Sequence, residues 1–121
     1  MSSWWVVRRD DLLAELAGGL VFFGADRVED PGVGELADTA TLLAAEYRAS
    51  ARGHAVRHVG ELLDAAAGEL RVADRFRGTL LPQVTRHLRR ARVLVSRARA
   101  CLEAGPGPAA ARPGPRTGAA R

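Results

Sequence analysis

Two histidines and a glutamate have a spacing that could bring them together around a metal ion. His54, His58 and Glu61 follow one another at intervals of four and three residues. On a helix these intervals place side chains on one face, and imidazole with carboxylate is a ligand set that zinc accepts. The group points away from the apolar side of its predicted helix and has no evident fourth ligand, since His87 lies on another helix. We therefore predict no metal site. If a metal does bind, His54, His58 and Glu61 are the candidate ligands.

Two arginine–histidine pairs also have a spacing that is found in some catalytic sites. Arg48 precedes His54 by six residues, and Arg52 precedes His58 by six. This spacing resembles that of the HEPN-type ribonucleases, which are helical. The polar residue that usually follows the arginine in that family is missing here. A chain with 18 arginines and three histidines contains about one such match by chance. Ribonuclease activity is therefore a lesser alternative; we predict no catalytic residue and no cofactor, and an enzyme is not the expected function.

Charge is divided unevenly along the chain, whose net charge is +4. Residues 1–70 contain 6 arginines and 12 acids, whereas residues 71–121 contain 12 arginines and 2 acids. This division favours either a surface for nucleic acid or pairing between oppositely charged halves. Lysine, isoleucine and asparagine are all absent. That absence is typical of a GC-rich genome, such as an actinomycete's, so the use of arginine rather than lysine carries little functional information.

The cysteine content and the apolar segments indicate a cytoplasmic protein. Cys101 is the single cysteine, so no disulfide framework is predicted and a reducing compartment fits. The longest apolar stretch runs from Leu12 to Ala25, includes Glu15, and is too short to span a bilayer. We predict no membrane segment.

Apolar residues recur every three or four positions in four segments, which predicts an all-α fold with four helices. The predicted helices cover residues 11–23, 30–53, 54–77 and 79–104, with Asp10, Asp30 and Thr79 as N-caps. A four-helix bundle over residues 8–104 is expected, and a weak internal similarity leaves a helical-hairpin array as the alternative. Residues 105–121, almost all Gly, Pro, Ala and Arg, are predicted to form a disordered tail.

The last predicted helix has two contrasting faces. Its apolar residues alternate three and four positions apart, a heptad pattern that favours helix pairing, including pairing between subunits. This predicted self-association seam contains Leu81, Val84, Leu88, Val95 and Leu102. Its outer face is basic and predicted to bind a partner, either an acidic protein surface or the phosphates of a nucleic acid. The partner-binding arginines are Arg86, Arg89, Arg90 and Arg97.

Trp4 and Trp5 lie in residues 1–7, which form either an extended arm or the start of the first helix. An aromatic pair near a terminus could anchor a partner, or it could fold back over the bundle. Both interpretations stay open. We count the two tryptophans among the predicted partner-binding residues.

Two segments resemble helical regions of a known class of proteins. They are GELADTATLLAAEYRA, at residues 34–49, and ADRFRGTLLPQVTRHLRRARVLV, at residues 73–95. Both are similar to segments of actinomycete transcription regulators, in which a tetratricopeptide-like array follows a helix-turn-helix domain. The resemblance implies a sensing or protein-interaction module, without implying any site residue. We therefore predict a non-enzymatic regulatory module that binds a protein, including a second copy of itself, with nucleic-acid binding as the alternative.

Overall fold

The computed structural model describes residues 2–50 and 52–104, with side chains from residue 9 onward. It contains four helices: α1 (Ser2–Phe22), α2 (Val33–Arg48), α3 (His54–Phe76) and α4 (Leu81–Ala104). No strand occurs within these described ranges, which confirms the all-α prediction. The predicted tail, residues 105–121, lies outside the described residues.

The helices form a bundle in which α3 and α4 are the central pair. α3 packs along both α2 and α4, while α4 also packs against α1. α1 makes only slight contact with α2. Since the first helix returns to the last one, the arrangement confirms the predicted four-helix bundle.

The core consists of the apolar faces that the sequence periodicity indicated. Its largest fully buried side chains are leucines and valines from α1, α3 and α4, among them Leu16, Leu63 and Leu88. Each buried leucine contributes about 1.5–3 kcal/mol relative to an exposed one. α2 and α3 also contribute several fully buried alanines, including Ala40, Ala44 and Ala66. Small side chains let these two helices approach closely.

The beginnings of α1 and α2 differ from the predicted ones. α1 starts at Ser2, so residues 2–7 begin the first helix rather than forming a separate arm, and Asp10 lies inside the helix. No Gly or Pro interrupts this stretch, so the helix continues through it. α2 begins at Val33 with Gly32 as its N-cap. Asp30 has a φ of 49°, so it turns the chain and does not cap the helix.

The connection between α3 and α4 also corrects a predicted cap. Thr79 was expected to cap α4, but its Oγ1 donates to the carbonyl oxygen of Phe76 at 2.8 Å. Gly78 has a φ of 81°, a left-handed conformation that glycine adopts without steric cost. The first α4 hydrogen bond runs from Val84 N–H to the carbonyl of Leu80 at 3.0 Å. Thr79 therefore closes α3, and α4 starts without a side-chain cap from it.

Candidate interaction site

The apolar row of α4 lies inside the single-chain core. Val84 and Leu88 are fully buried, Val95 is buried, and Leu81 and Leu102 are half-buried. The helices that cover this row are α3 and α1 of the same molecule. The pattern therefore identified a packing face correctly, but the neighbours are intramolecular. The predicted self-association seam offers no exposed apolar row to a second copy.

The outer face of α4 is open and basic. Arg86, Arg89, Arg90 and Arg97 are all exposed, and Val93, 46% exposed, lies among them. We call these five residues the basic stripe. Their spacing places them along one side of the helix over about 16 Å. Among the described residues, none of the four arginines has an ion pair or a side-chain hydrogen bond.

The other arginines of α4 contact neighbouring groups. Arg92 pairs with Glu15 of α1 at 3.2 Å. Arg99 pairs with Glu103 at 3.3 Å, and its guanidinium lies 4.4 Å from the centre of the Phe22 ring. Such exposed pairs contribute about 0–1 kcal/mol each. The arginines at the flank of α4 therefore help to join it to α1, whereas those of the basic stripe are left available.

On its other flank, α4 contacts α3 through polar groups that are only partly exposed. His87 Nδ1 lies 2.7 Å from Glu69 Oε1. The His87 ring stacks on Phe76 with a centroid distance of 6.5 Å. Cys101 is half-buried, and its Sγ donates to the carbonyl of Ala55 at 3.7 Å. These contacts give His87 and Cys101 packing roles.

A shallow groove runs between α3 and the basic stripe. It encloses about 430 Å³ and is lined by Glu69, Arg89, Arg90, Val93, Leu94 and Arg97. Glu69 is already in contact with His87, so the unpaired charges of the groove are positive. Val93 and Leu94 are its apolar lining residues. Chemically, the groove suits an apolar side chain that is flanked by carboxylates.

The outer face of α2 has the opposite charge, and its residues were not among those that the sequence predicted to bind a partner. Glu35, Asp38 and Glu46 are exposed around Leu42, which is 67% exposed. We call these four residues the acidic stripe. None of its three carboxylates has an ion pair within the described part of the chain. The available signal was Leu42 itself, a large apolar residue that lies off the buried face of its helix.

The histidine candidates do not form a metal site. His54 and His58 are exposed; His58 Nδ1 contacts Glu61 Oε1 at 3.1 Å, and His54 Nδ1 contacts an Arg57 nitrogen at 3.3 Å. His87 contacts Glu69, which is eleven residues, or about 16 Å along α3, from His58. No group of three potential metal ligands comes together among the residues that the structure describes.

The arginine–histidine pairs are also kept apart by other partners. Arg48 pairs with Asp64 of α3 at 3.2 Å, while His54 contacts Arg57. The Arg52 side chain is exposed and makes no described contact with His58, which instead contacts Glu61. The described contacts therefore give no support to a ribonuclease centre.

Another cavity lies between α1 and the loop that leads to α2. It encloses about 570 Å³ and contains both Arg9 and Arg27 and the acids Asp10 and Asp30. Charges of both signs at its rim do not define a ligand. Trp4 and Trp5 belong to α1, but their side chains lie outside the described part of the structure.

No protein-family model matches the chain, and no curated protein or solved structure is significantly similar to it. The resemblance to helical regions of actinomycete regulators therefore stays a prediction. Among the helices of the described ranges, none has the combination of length and apolar character that membrane crossing requires.

Proposed function

We propose that this protein is a non-enzymatic interaction module that binds an acidic, partly apolar segment of a protein through the basic stripe of α4. One observation carries the proposal: four exposed arginines without partners among the described residues surround an exposed Val93. Arginine is enriched at protein interfaces because its guanidinium binds carboxylates in a bidentate manner and also packs on apolar groups. A partner with carboxylates on either side of an apolar side chain would match this surface.

The apolar centre of the stripe favours a protein partner over a nucleic acid. Val93 and Leu94 are the apolar residues that line the adjoining groove, and a row of phosphates would leave them without a complementary group. No aromatic residue lines the groove, so bases have no side chain to stack on. A protein interface typically has this arrangement, with an apolar centre and a charged rim. Nucleic-acid binding through the same arginines is the second candidate function.

A labelled peptide tests the proposal directly. The probe is a helical peptide with a central leucine flanked by glutamates; a control peptide has glutamines in place of the glutamates. We expect fluorescence polarisation to show binding of the acidic peptide alone, weakening as salt is raised because exposed charges are screened. The double variant Arg90→Gln/Arg97→Gln should bind about tenfold more weakly, which corresponds to about 1.4 kcal/mol.

A matched variant separates local from general charge effects. Arg52→Gln/Arg75→Gln also removes two exposed arginines, but from the α2–α3 loop and from α3, away from the stripe. It should bind the acidic peptide as the unsubstituted protein does. Equal losses in both double variants would show that only net charge matters, and the proposal would be wrong.

The nucleic-acid alternative is tested with the same proteins. Labelled duplex DNA and single-stranded RNA replace the peptide in the titration. We expect weak binding to both. If either binds more tightly than the acidic peptide at about 200 mM salt and loses affinity in Arg90→Gln/Arg97→Gln, the second function replaces the first.

A further inference from the structure

We propose that the acidic segment recognised by the basic stripe is the acidic stripe of a second copy of this chain. The inference rests on the proposed function and names its partner. It predicts a contact between α4 of one molecule and α2 of another.

Four residues of each stripe have the same spacing; Arg90 has no charged counterpart, since Thr39 occupies the equivalent position of α2. Each has an exposed apolar residue at its centre, Val93 on α4 and Leu42 on α2. On both helices a charged residue lies seven positions before the centre, another four before it and a third four after it. These are Arg86, Arg89 and Arg97 on α4, and Glu35, Asp38 and Glu46 on α2.

The spacing favours a parallel pairing of the two helices. With Val93 opposite Leu42, a parallel arrangement places Arg97 near Glu46 and Arg89 near Asp38. Arg86 then lies near Glu35. An antiparallel arrangement keeps two opposite-charge pairs but sets Arg86 against the uncharged Ala49. Nearly parallel helices pack with a small crossing angle, so all pairs along about 16 Å can form together.

The pairing requires two molecules. α2 and α4 both pack on α3 and have no extensive contact with each other. Both stripes are exposed on the outside of the bundle. Within one molecule, the intramolecular ion pairs of α2 and α4 use residues outside the stripes, such as Arg48 with Asp64 and Arg92 with Glu15. Glu35 also accepts a hydrogen bond from the Gly32 N–H at 3.4 Å, at the start of its own helix. The other stripe charges have no partner among the described residues and are left for a contact between copies.

The assembly that follows joins two different surfaces. When one such contact forms, each of the two molecules still has one free stripe. Further molecules can then add to form an open linear assembly, or the two free stripes can pair with each other to form a closed dimer. A single pair of helical stripes is a small interface, which implies weak association. Because its pairs are exposed, association should decrease as salt is raised.

Reciprocal charge reversal tests the contact. The first variant, Arg89→Glu/Arg97→Glu, makes the α4 stripe acidic; the second, Asp38→Arg/Glu46→Arg, makes the α2 stripe basic. In sedimentation velocity at low salt, the unsubstituted protein should show an average mass that rises with concentration. Each variant alone should be monomeric, and an equimolar mixture should associate at least about tenfold more tightly than either variant alone. Circular dichroism establishes that both variants fold.

A matched reversal and the peptide titration distinguish the possible failures. Asp26→Arg/Glu29→Arg makes the same change in net charge as the second variant, but in the α1–α2 loop, and should leave association intact. If the variants do not complement each other, the inference is wrong. If the unsubstituted protein stays monomeric but still binds the acidic peptide through Arg90 and Arg97, the inference fails and the proposed function stands. If it does neither, both fail.

Discussion

Replacement of Leu88 by alanine is expected to lower the free energy of unfolding by about 2–5 kcal/mol, by the same amount at every protein concentration. Leu88 is 0% exposed and lies in the middle of the apolar row of α4. Truncation removes buried methyl groups and leaves a cavity that the surrounding helices fill only in part. Because α3 and α1 of the same molecule cover this row, the loss should not depend on association.

Urea denaturation at two concentrations about a hundredfold apart measures this effect. Domains of this size have unfolding free energies of about 5–15 kcal/mol, so the expected loss is a large fraction of the total stability. Leu88→Met preserves most of the volume and should cost less than about 1.5 kcal/mol. A destabilisation that appears only at the higher concentration would show that the row joins subunits instead.

Leu42→Ala is the matched control for the same substitution on the surface. Leu42 is 67% exposed, so its truncation should change the free energy of unfolding by no more than about 0.5 kcal/mol in the dilute sample. Its effect is expected on association, since Leu42 is the centre of the acidic stripe. Truncation of Leu88 therefore tests the stability of the fold, and truncation of Leu42 tests the association between molecules.

The heptad pattern of α4 predicted that one face is buried, but it could not identify what covers that face. The spacing of apolar residues indicates which positions of a helix are buried. It does not indicate whether the helix that covers them belongs to the same chain. Leu88 has the same pattern whether its neighbours come from α3 or from another molecule. The helix and its buried face were therefore predictable, and its partner was not.

The sequence also could not predict which arginines form ion pairs, because ion pairing depends on neighbours in the tertiary structure. Arg92 and Arg97 lie five residues apart in a run of similar composition. The structure brings Glu15 to within 3.2 Å of Arg92, whereas Arg97 has no partner among the described residues. Glu15 is 77 residues away from Arg92 along the chain. No local pattern could have linked them.

Helix ends were mispredicted where two local interactions compete. Thr79 stands immediately before an apolar helical pattern, which is typical of an N-cap. Its hydroxyl instead binds the last turn of the preceding helix, through the Phe76 carbonyl. Only two residues separate Thr79 from that carbonyl, so in such a short connection both roles are within reach and packing of α3 on α4 decides between them.

Replacement of Gly60 by alanine is expected to destabilise the protein by about 1–3 kcal/mol, although alanine is the better helix former by about 1 kcal/mol. Gly60 faces the end of α2. A Cβ atom added there would lie 2.6 Å from the backbone nitrogen of Arg48 and 2.9 Å from the carbonyl oxygen of Ala44. Backbone atoms cannot rotate away, so α2 would have to move, and it would carry the acidic stripe with it.

Gly68→Ala in the same helix isolates the steric part of this effect. A Cβ atom at Gly68 meets nothing within 4 Å, so its substitution should stabilise the protein by about 0.5–1 kcal/mol through helix propensity alone. Urea denaturation of both variants should therefore give changes of opposite sign. The two sites lie about 12 Å apart along α3, so the double variant should show nearly the sum. A stabilising effect at both glycines would mean that α2 and α3 do not cross as closely as Gly60 requires.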